Sequence, residues 1–215
     1  MTALAPRTIE LFDKIASLEC IKPYVLVGGS ALALQLHTRL SEDLDFMSWK
    51  TQPIQKQEVD WVKIEKELAT IGTIETRDIW DFDHIEFMVS GVKVSFYASN
   101  KFSPVADPIC LKDNLRIADI KSIGAMKMEL LLRRSNFRDY YDLYSIFQHG
   151  INFKDVLDLA LNYSGHMLST KNLLSMLTDS SRFHIDSGFE LLQPIYKVSP
   201  IQIESYLKTC IKSQM

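Results

Sequence analysis

Between Tyr24 and Ser48 the chain reads YVLVGGSALALQLHTRLSEDLDFMS, and no other stretch restricts its fold as tightly. Tyr24 to Val27 is a short apolar strand running into Gly28-Gly29-Ser30. The stretch 31–38 reads as a short helix, and Glu42 to Met47 alternates as a second strand. Strand, turn, helix and strand in so short a span confine the chain to mixed α/β architectures. Residues two apart on a strand share a face, so Asp43, Asp45 and Met47 look one way while Leu44 and Phe46 supply the buried side. Two carboxylates about 6–7 Å apart along a strand repel each other unless a cation lies between them. A divalent metal resolves that conflict, because Mg²⁺ takes oxygen ligands, commonly one or two carboxylates together with substrate phosphates. A strand with one wet face carries the same alternation without any ligand.

The upstream turn bears on that choice. Glycines between a strand and a helix permit positive φ and the close approach of another group. The N–H groups at the following helix start, aided by the dipole, make a phosphate site. Ser30 then has two readings, as N-cap of the helix and as hydroxyl donor to a phosphate oxygen. A phosphate cradle and a metal-ligand pair joined by one short helix are more specific together than either is separately.

Elsewhere the pattern is regular. A helix near 8–19 opens the chain, with Ile9, Leu11, Phe12, Ile15 and Ala16 at helical spacing behind a Thr8 cap. QEVDWVKIEKELATIG is an amphipathic helix ended by Gly72. Three β-like runs follow at 73–80, 84–90 and 92–98, the last two joined at Ser90-Gly91 as a hairpin. NKFSPVADP is a loop, and the remainder is mainly helical, over about 117–134, 137–149, 153–163, 170–177 and 200–212. The expected fold class is α+β: a mixed sheet with flanking helices over 1–102, followed by a helical C-terminal domain over 103–215.

No apolar run approaches the roughly 18 residues of a membrane-spanning helix, and the N-terminus has no signal-peptide pattern. Cys20, Cys110 and Cys210 show no metal-like spacing and read as buried thiols. These features point to a cytoplasmic protein without a membrane partner. The net charge of −3 argues against indiscriminate nucleic-acid binding. Its distribution is uneven: residues 41–88 hold twelve acids and five Lys/Arg, whereas 112–138 hold seven Lys/Arg and three acids. That asymmetry suits a cleft with a metal wall and a phosphate wall, or two differently charged solvated faces. The five histidines lack ligand-like spacing, and none is assigned to metal or catalysis.

Two helices carry charges on apolar stripes. Lys127 shares a side with Ile120, Ile123, Leu131 and Arg134, so it either reaches phosphates in a cleft or snorkels along the core to water. Asp139 and Asp142 share a face with Leu143 and Ile146. Asn136 and Asp139 also resemble a capping box, and a Lys127–Asp139 ion pair would satisfy both charges without catalysis. Arg39, just before the Asp-x-Asp strand, either touches phosphate or pairs with Glu42 or Asp43.

The stretch GGSALALQLHTRLSEDLDF resembles the signature of nucleotidyltransferases related to DNA polymerase β. More narrowly, GGSALAL with R-x-S-x-DLDF, together with AMKMELLLRRSNFRDYYDLYSIF, resembles the AbiEii/AbiGii abortive-infection toxins, bacterial nucleotidyltransferase-like proteins paired with a separate antitoxin. The resemblance spans about 24–48, 91–98 and 118–147. It implies a nucleotidyltransferase fold for the sheet and a nucleoside triphosphate held by Gly28, Gly29 and Ser30. It also implies two Mg²⁺ ions on Asp43 and Asp45, with Lys127, Arg138 and Asp139 positioning substrate. The expected catalytic set is thus Asp43, Asp45, Lys127 and Asp139, and the nucleotide-binding set adds Arg39, Arg134 and Arg138. Transfer to an RNA, for example a tRNA end, or to a protein hydroxyl would follow, with a cognate antitoxin as partner.

The superfamily often carries a third carboxylate on a later strand, and in GVKVSFYAS that position is Ser95. A serine neither neutralises a metal nor takes a proton at neutral pH. Three readings stand at this position: Glu86 on the neighbouring strand approaches the metals, a water held by Ser95 completes the coordination, or the chain binds nucleotide without turning it over. A catalytically silent nucleotide-binding module and a transferase acting on a small antibiotic-like molecule are the alternative functions.

Overall fold

Phe46 lies flat on Phe96 with ring centroids 5.2 Å apart, Tyr24 and Phe87 meet Phe96 edge-on, and a seven-stranded sheet is built around this cluster. In the computed structural model residues 3–54 and 57–214 are described. The strands are β1 (Val25–Val27), β2 (Leu44–Trp49), β3 (Ile74–Asp81), β4 (His84–Val89), β5 (Val92–Ser99), β6 (Ile109–Lys112) and β7 (Leu115–Ile117). Their order across the sheet is β3-β4-β5-β2-β1-β7-β6. β2 runs parallel to β5 and β1 to β7, while the other neighbours are antiparallel, so the sheet is mixed. Leu44, Phe46, Ile85, Phe87, Val94 and Phe96 fill one face of the central strands, as the period-two alternation requires. Ser90 and Gly91 both take positive φ, the turn that matches the twist of a two-residue hairpin.

The helices of this first unit are α1 (Pro6–Ile15), α2 (Gly28–Leu36) and α3 (Trp61–Leu68). α1 begins two residues earlier than its expected cap, so Thr8 lies inside it, buried, and its hydroxyl donates to the Glu42 carbonyl at 2.7 Å. α3 is capped by Asp60, whose carboxylate accepts from Lys63 N. β6 and β7 occupy a stretch expected to lack strands; β7 joins the sheet only through its parallel pairing with β1. Cys20 and Cys210 are buried as expected, but Cys110, on the outermost strand β6, is exposed. Burial raises the Cys20 thiol to about 12, with Glu67 adding to the effect.

A second unit comprises α4 (Ile120–Leu130), α5 (Phe137–Gln148), α6 (Phe153–Tyr163), α7 (Thr170–Leu177) and α8 (Pro200–Gln214), with two short 3₁₀ turns at Ser180–Arg182 and Phe189–Leu192. It also takes in the short segment Gln35–Arg39, whereas the first unit holds residues up to Leu34 and then Leu40–Asp119. Gly124 lets α4 approach α6: a Cβ there would stand 3.0 Å from Val156 Cγ1. Tyr140 stacks on Phe183 with centroids 3.6 Å apart, and Tyr141 bonds the Thr38 carbonyl at 2.9 Å. Among the described residues no helix is long and apolar enough to cross a membrane.

Candidate active site

Gly28 opens α2 directly from the end of β1, with φ +68°, a left-handed conformation that side chains resist. The space is also taken: a Cβ on Gly28 would stand 2.8 Å from Asp45 Oδ2. The register explains this closeness, since Val27 faces Asp45 across the β1–β2 ladder. The Asp45 carboxylate thus lies against the first turn of α2, where helix amides lack intrahelical partners and the dipole favours an anion. Ser30 is the third residue of α2 and not its cap, because the helix starts at the glycines. Its hydroxyl donates to the Asp43 carbonyl, tying the glycine turn to the acids. Asp43 precedes β2, half-buried, with Lys93 Nζ 3.5 Å from its Oδ2.

Asp45 faces Ser95 across the β2–β5 ladder, and Ser95 faces Glu86 across β5–β4. Directly opposed residues point to the same face, so Asp45, Ser95 and Glu86 form one row. Ser95 is fully buried, with its Oγ 3.5 Å from Glu86 Oε1, and His84 Nε2 is 3.3 Å from the same oxygen. Glu86 therefore shares the face but is held two strands from Asp45. Among the described residues no group of three or more His, Cys, Asp or Glu is arranged to hold a metal, so Glu86 does not complete a three-acid site.

The second unit holds a buried charge network. Lys127 Nζ lies 3.0 Å from Asp139 Oδ1 and 2.7 Å from Asp142 Oδ2, with its side chain only 6% exposed. It does not snorkel to water. Arg39 donates through Nε and Nη2 to the two oxygens of Asp142, both at 2.8 Å, and Arg134 grips Asp139 at 2.8 and 3.0 Å. Asn136 sits at the N-cap of α5 without a side-chain bond, so the capping box does not form and Asp139 turns inward to the cations. Burial pushes both carboxyls up, but the cations outweigh it: Lys127 and Arg134 bring Asp139 to about 2, and Arg39 and Lys127 hold Asp142 below its ordinary value. Asp142 is the hub that sequence reasoning did not assign. Its signal was the position of an acid on an apolar stripe.

The basic stretch 112–138 is neutralised internally. Lys112 pairs with Asp13, Lys121 with Asp155, Arg133 with Glu129 and Arg138 with Asp186, while Arg116 bonds the Lys22 and Tyr24 carbonyls. With Lys127 and Arg134, all seven cations have a protein partner. A phosphate meeting any of them would have to compete with that partner.

Residues 11–193 match the family model described as the nucleotidyl transferase AbiEii toxin of a Type IV toxin–antitoxin system. The chain belongs to the AbiEii nucleotidyltransferase toxin family. It is also similar to the protein aq_aa25 of Aquifex aeolicus (strain VF5), 26% identical over 161 residues that cover 73% of each chain. The crystal structure of JHP933 from Helicobacter pylori shares the fold, with a TM-score of 0.54 at 19% identity over 98% of this chain and 94% of that one. The α+β fold of this AbiEii chain is accordingly nucleotidyltransferase-like.

Acid should loosen the buried network of the AbiEii chain. Asp139 has a folded value of about 2 against 3.8 for an ordinary aspartate. Its ionised form therefore stabilises the fold above pH 4, and that contribution of about 2 kcal/mol disappears as pH falls toward 2. Urea midpoints measured from pH 7 to pH 2 should drop across that window, and Asp139→Asn should flatten the drop. An unchanged profile in the variant would remove Asp139 from the titrating set.

Proposed function

We propose that this AbiEii chain transfers a nucleotidyl group from a nucleoside triphosphate to a hydroxyl of an RNA, such as a tRNA end, or of a protein. Asp43 and Asp45 hold Mg²⁺, and a cognate antitoxin protein opposes the activity in a cytoplasmic setting. The observation that carries this reading is the Asp45 carboxylate lying against the glycine-led start of α2. A triphosphate seated on the amides of Gly29 and Ser30 brings a second anion to the same helix end. At about 4 Å and an effective dielectric near 20 that repulsion is about 4 kcal/mol, so the pair suits a phosphate only when a divalent cation lies between them. Two carboxylates with substrate phosphates are a normal donor set for Mg²⁺, and no dedicated protein cage is needed.

When bound, the metal neutralises and aligns the phosphates for in-line displacement. The acceptor oxygen then bonds to the α-phosphorus, the bridge to the β-phosphate breaks, pyrophosphate leaves and the hydroxyl proton passes to solvent water. Gly28 supplies the room for Asp45, and Ser30 sets the spacing between the turn and Asp43. The division of the chain suggests the same economy in the second unit. Arg134, with its side chain 46% exposed, is the part within reach of a phosphate, and Lys127 with Asp139 fixes its position. Arg138, 36% exposed beside Asp186, serves as a further phosphate contact in this reading, whereas Arg39 stays committed to Asp142.

Purified protein incubated with each labelled triphosphate, Mg²⁺ and total RNA or lysate should transfer label. Asp43→Asn and Asp45→Asn should each abolish transfer with unfolding midpoints near the parent's; retained activity would remove them from the metal site. The buried Ser95 in place of a third acid favours a second reading, a nucleotide-binding module without turnover. Triphosphate binding with no transfer to any acceptor would establish that reading instead.

A further inference from the structure

On the same sheet face as Asp45, Ser95 and Glu86, three rings lie nearly parallel across three strands. Tyr97 of β5 and His84 of β4 are direct cross-strand partners, with ring centroids 4.2 Å apart and planes 21° from parallel. Trp80 of β3 follows at 6.2 Å and 14°. A register shift between Ile79 and Asp81 breaks the regular β3–β4 pairing where Trp80 meets His84. The inner pair alone accounts for cross-strand stabilisation. Trp80 is 68% exposed on an edge strand, beside exposed Ile79 and Phe82. The register shifts between Ile74 and Thr76 and between Ile79 and Asp81, with the charged Arg77, Asp78 and Asp81, blunt this edge against strand pairing, and the Trp80 ring itself is left open to a planar ligand.

We propose that this column is a stacking platform for an unpaired base of the acceptor, which makes the acceptor a single-stranded nucleic-acid end. The inference rests on the proposed transferase reading of Asp43 and Asp45. Its argument is directional. The phosphate cradle lies at the end of β1, Asp45 on β2, and the rings on β5, β4 and β3 beyond it. With strands about 4.8 Å apart, His84 is about 12 Å from Asp45 on the side away from the cradle. In-line displacement sends the leaving group and the attacking oxygen to opposite sides of the phosphorus. Pyrophosphate on the cradle side therefore brings the acceptor from the ring side. A wall-less row of parallel rings suits planar bases, which stack on aromatics regardless of sequence, whereas a protein anchor fills a pocket.

The test compares the full-length protein with Trp80→Ala and Trp80→Phe, using a fluorescein-labelled eight-nucleotide single-stranded RNA, the same sequence as a duplex, and the triphosphates. Single-strand affinity should fall roughly tenfold in Trp80→Ala, as loss of one stacked base predicts, and recover largely in Trp80→Phe. Duplex should bind more weakly than the single strand in the parent, and triphosphate affinity should be unchanged. Equal single-strand binding by Trp80→Ala overturns the proposal, and so does a matching loss of triphosphate affinity, which would assign the column to the donor nucleotide. Reduced labelling of a protein in lysate with unaltered RNA binding overturns it in favour of a protein acceptor. Asp45→Asn should bind the RNA normally; transfer retained in that variant would defeat the transferase reading, whereas the binding comparison judges the platform separately.

Discussion

Asp142→Ala should destabilise the protein by about 3–5 kcal/mol, the cost of breaking a buried ion pair from one side. Asp142 is 1% exposed and takes two bonds from Arg39 and one contact from Lys127, all between 2.7 and 2.8 Å. Removing the carboxylate strips Arg39 of its two-toothed partner and leaves Lys127 with Asp139 as its remaining acid among these contacts. Neither cation has an inexpensive route to water from so deep a position. Asp142→Asn keeps the volume but loses the charge, and should fall between parent and alanine variant. Lys154→Ala is the contrast, because its pair with Asp158 is exposed on both sides, where such pairs contribute about 0–1 kcal/mol. Urea unfolding of the three variants checks the ordering. An alanine variant within 1 kcal/mol of the parent would mean that the network follows the packing of α4 and α5 and does not hold them.

Gly28→Ala should abolish more activity than stability. Two separate costs meet at this residue. Placing a side chain at φ +68° costs roughly 1–2 kcal/mol, and the new methyl would press on Asp45 Oδ2. Displacing that carboxylate by even about 1 Å is enough for a hundredfold loss in a positioned site. Gly150→Ala separates the two effects, because Gly150 has φ +83° with nothing within 4 Å of the added Cβ. Gly28→Ala should lose more stability in urea than Gly150→Ala, by the cost of the clash with Asp45, and only Gly28→Ala should lose transfer. If the two behave alike in transfer assays, the contact with Asp45 has no functional weight. Pairing Gly28→Ala with Asp45→Ala in an unfolding cycle should reveal coupling, since the second change removes the obstructing oxygen.

Much of the candidate site was legible because it is local. The strand, glycine turn, helix and acidic strand between Tyr24 and Ser48 follow from alternation and turn chemistry within one short segment, and β1, α2 and β2 lie close to where that reading puts them. The same holds for the hairpin at Ser90-Gly91 and for α4 to α8. What escaped was decided by distant partners. β7 has three residues and enters the sheet through Leu26 and Ile117, far apart in sequence. Ser30 and Thr8 look like caps locally, yet their hydroxyls turn to the carbonyls of Asp43 and Glu42. Lys127 on an apolar stripe announces that some anion must meet it, but periodicity does not name Asp142. The rings of Trp80, His84 and Tyr97 become neighbours only once register and irregularity are set, and no spacing of residue types reports those.

The segment Gln35–Arg39 has a consequence for the order in which the molecule is made. It belongs with helices that begin at Ile120, although the chain on both sides of it builds the sheet unit. Arg39 and Asp142 stand 103 residues apart in sequence. At a ribosomal pace of roughly 5–20 residues per second, that acid emerges some 5–20 s after the guanidinium it will hold. The glycine turn and the paired aspartates are thus synthesised long before the segment joining them acquires its anchor. A chain released early would carry the whole Asp-x-Asp motif with Arg39 still unmated to Asp142, so the ribosome itself sets a delay before a newborn toxin is structurally finished.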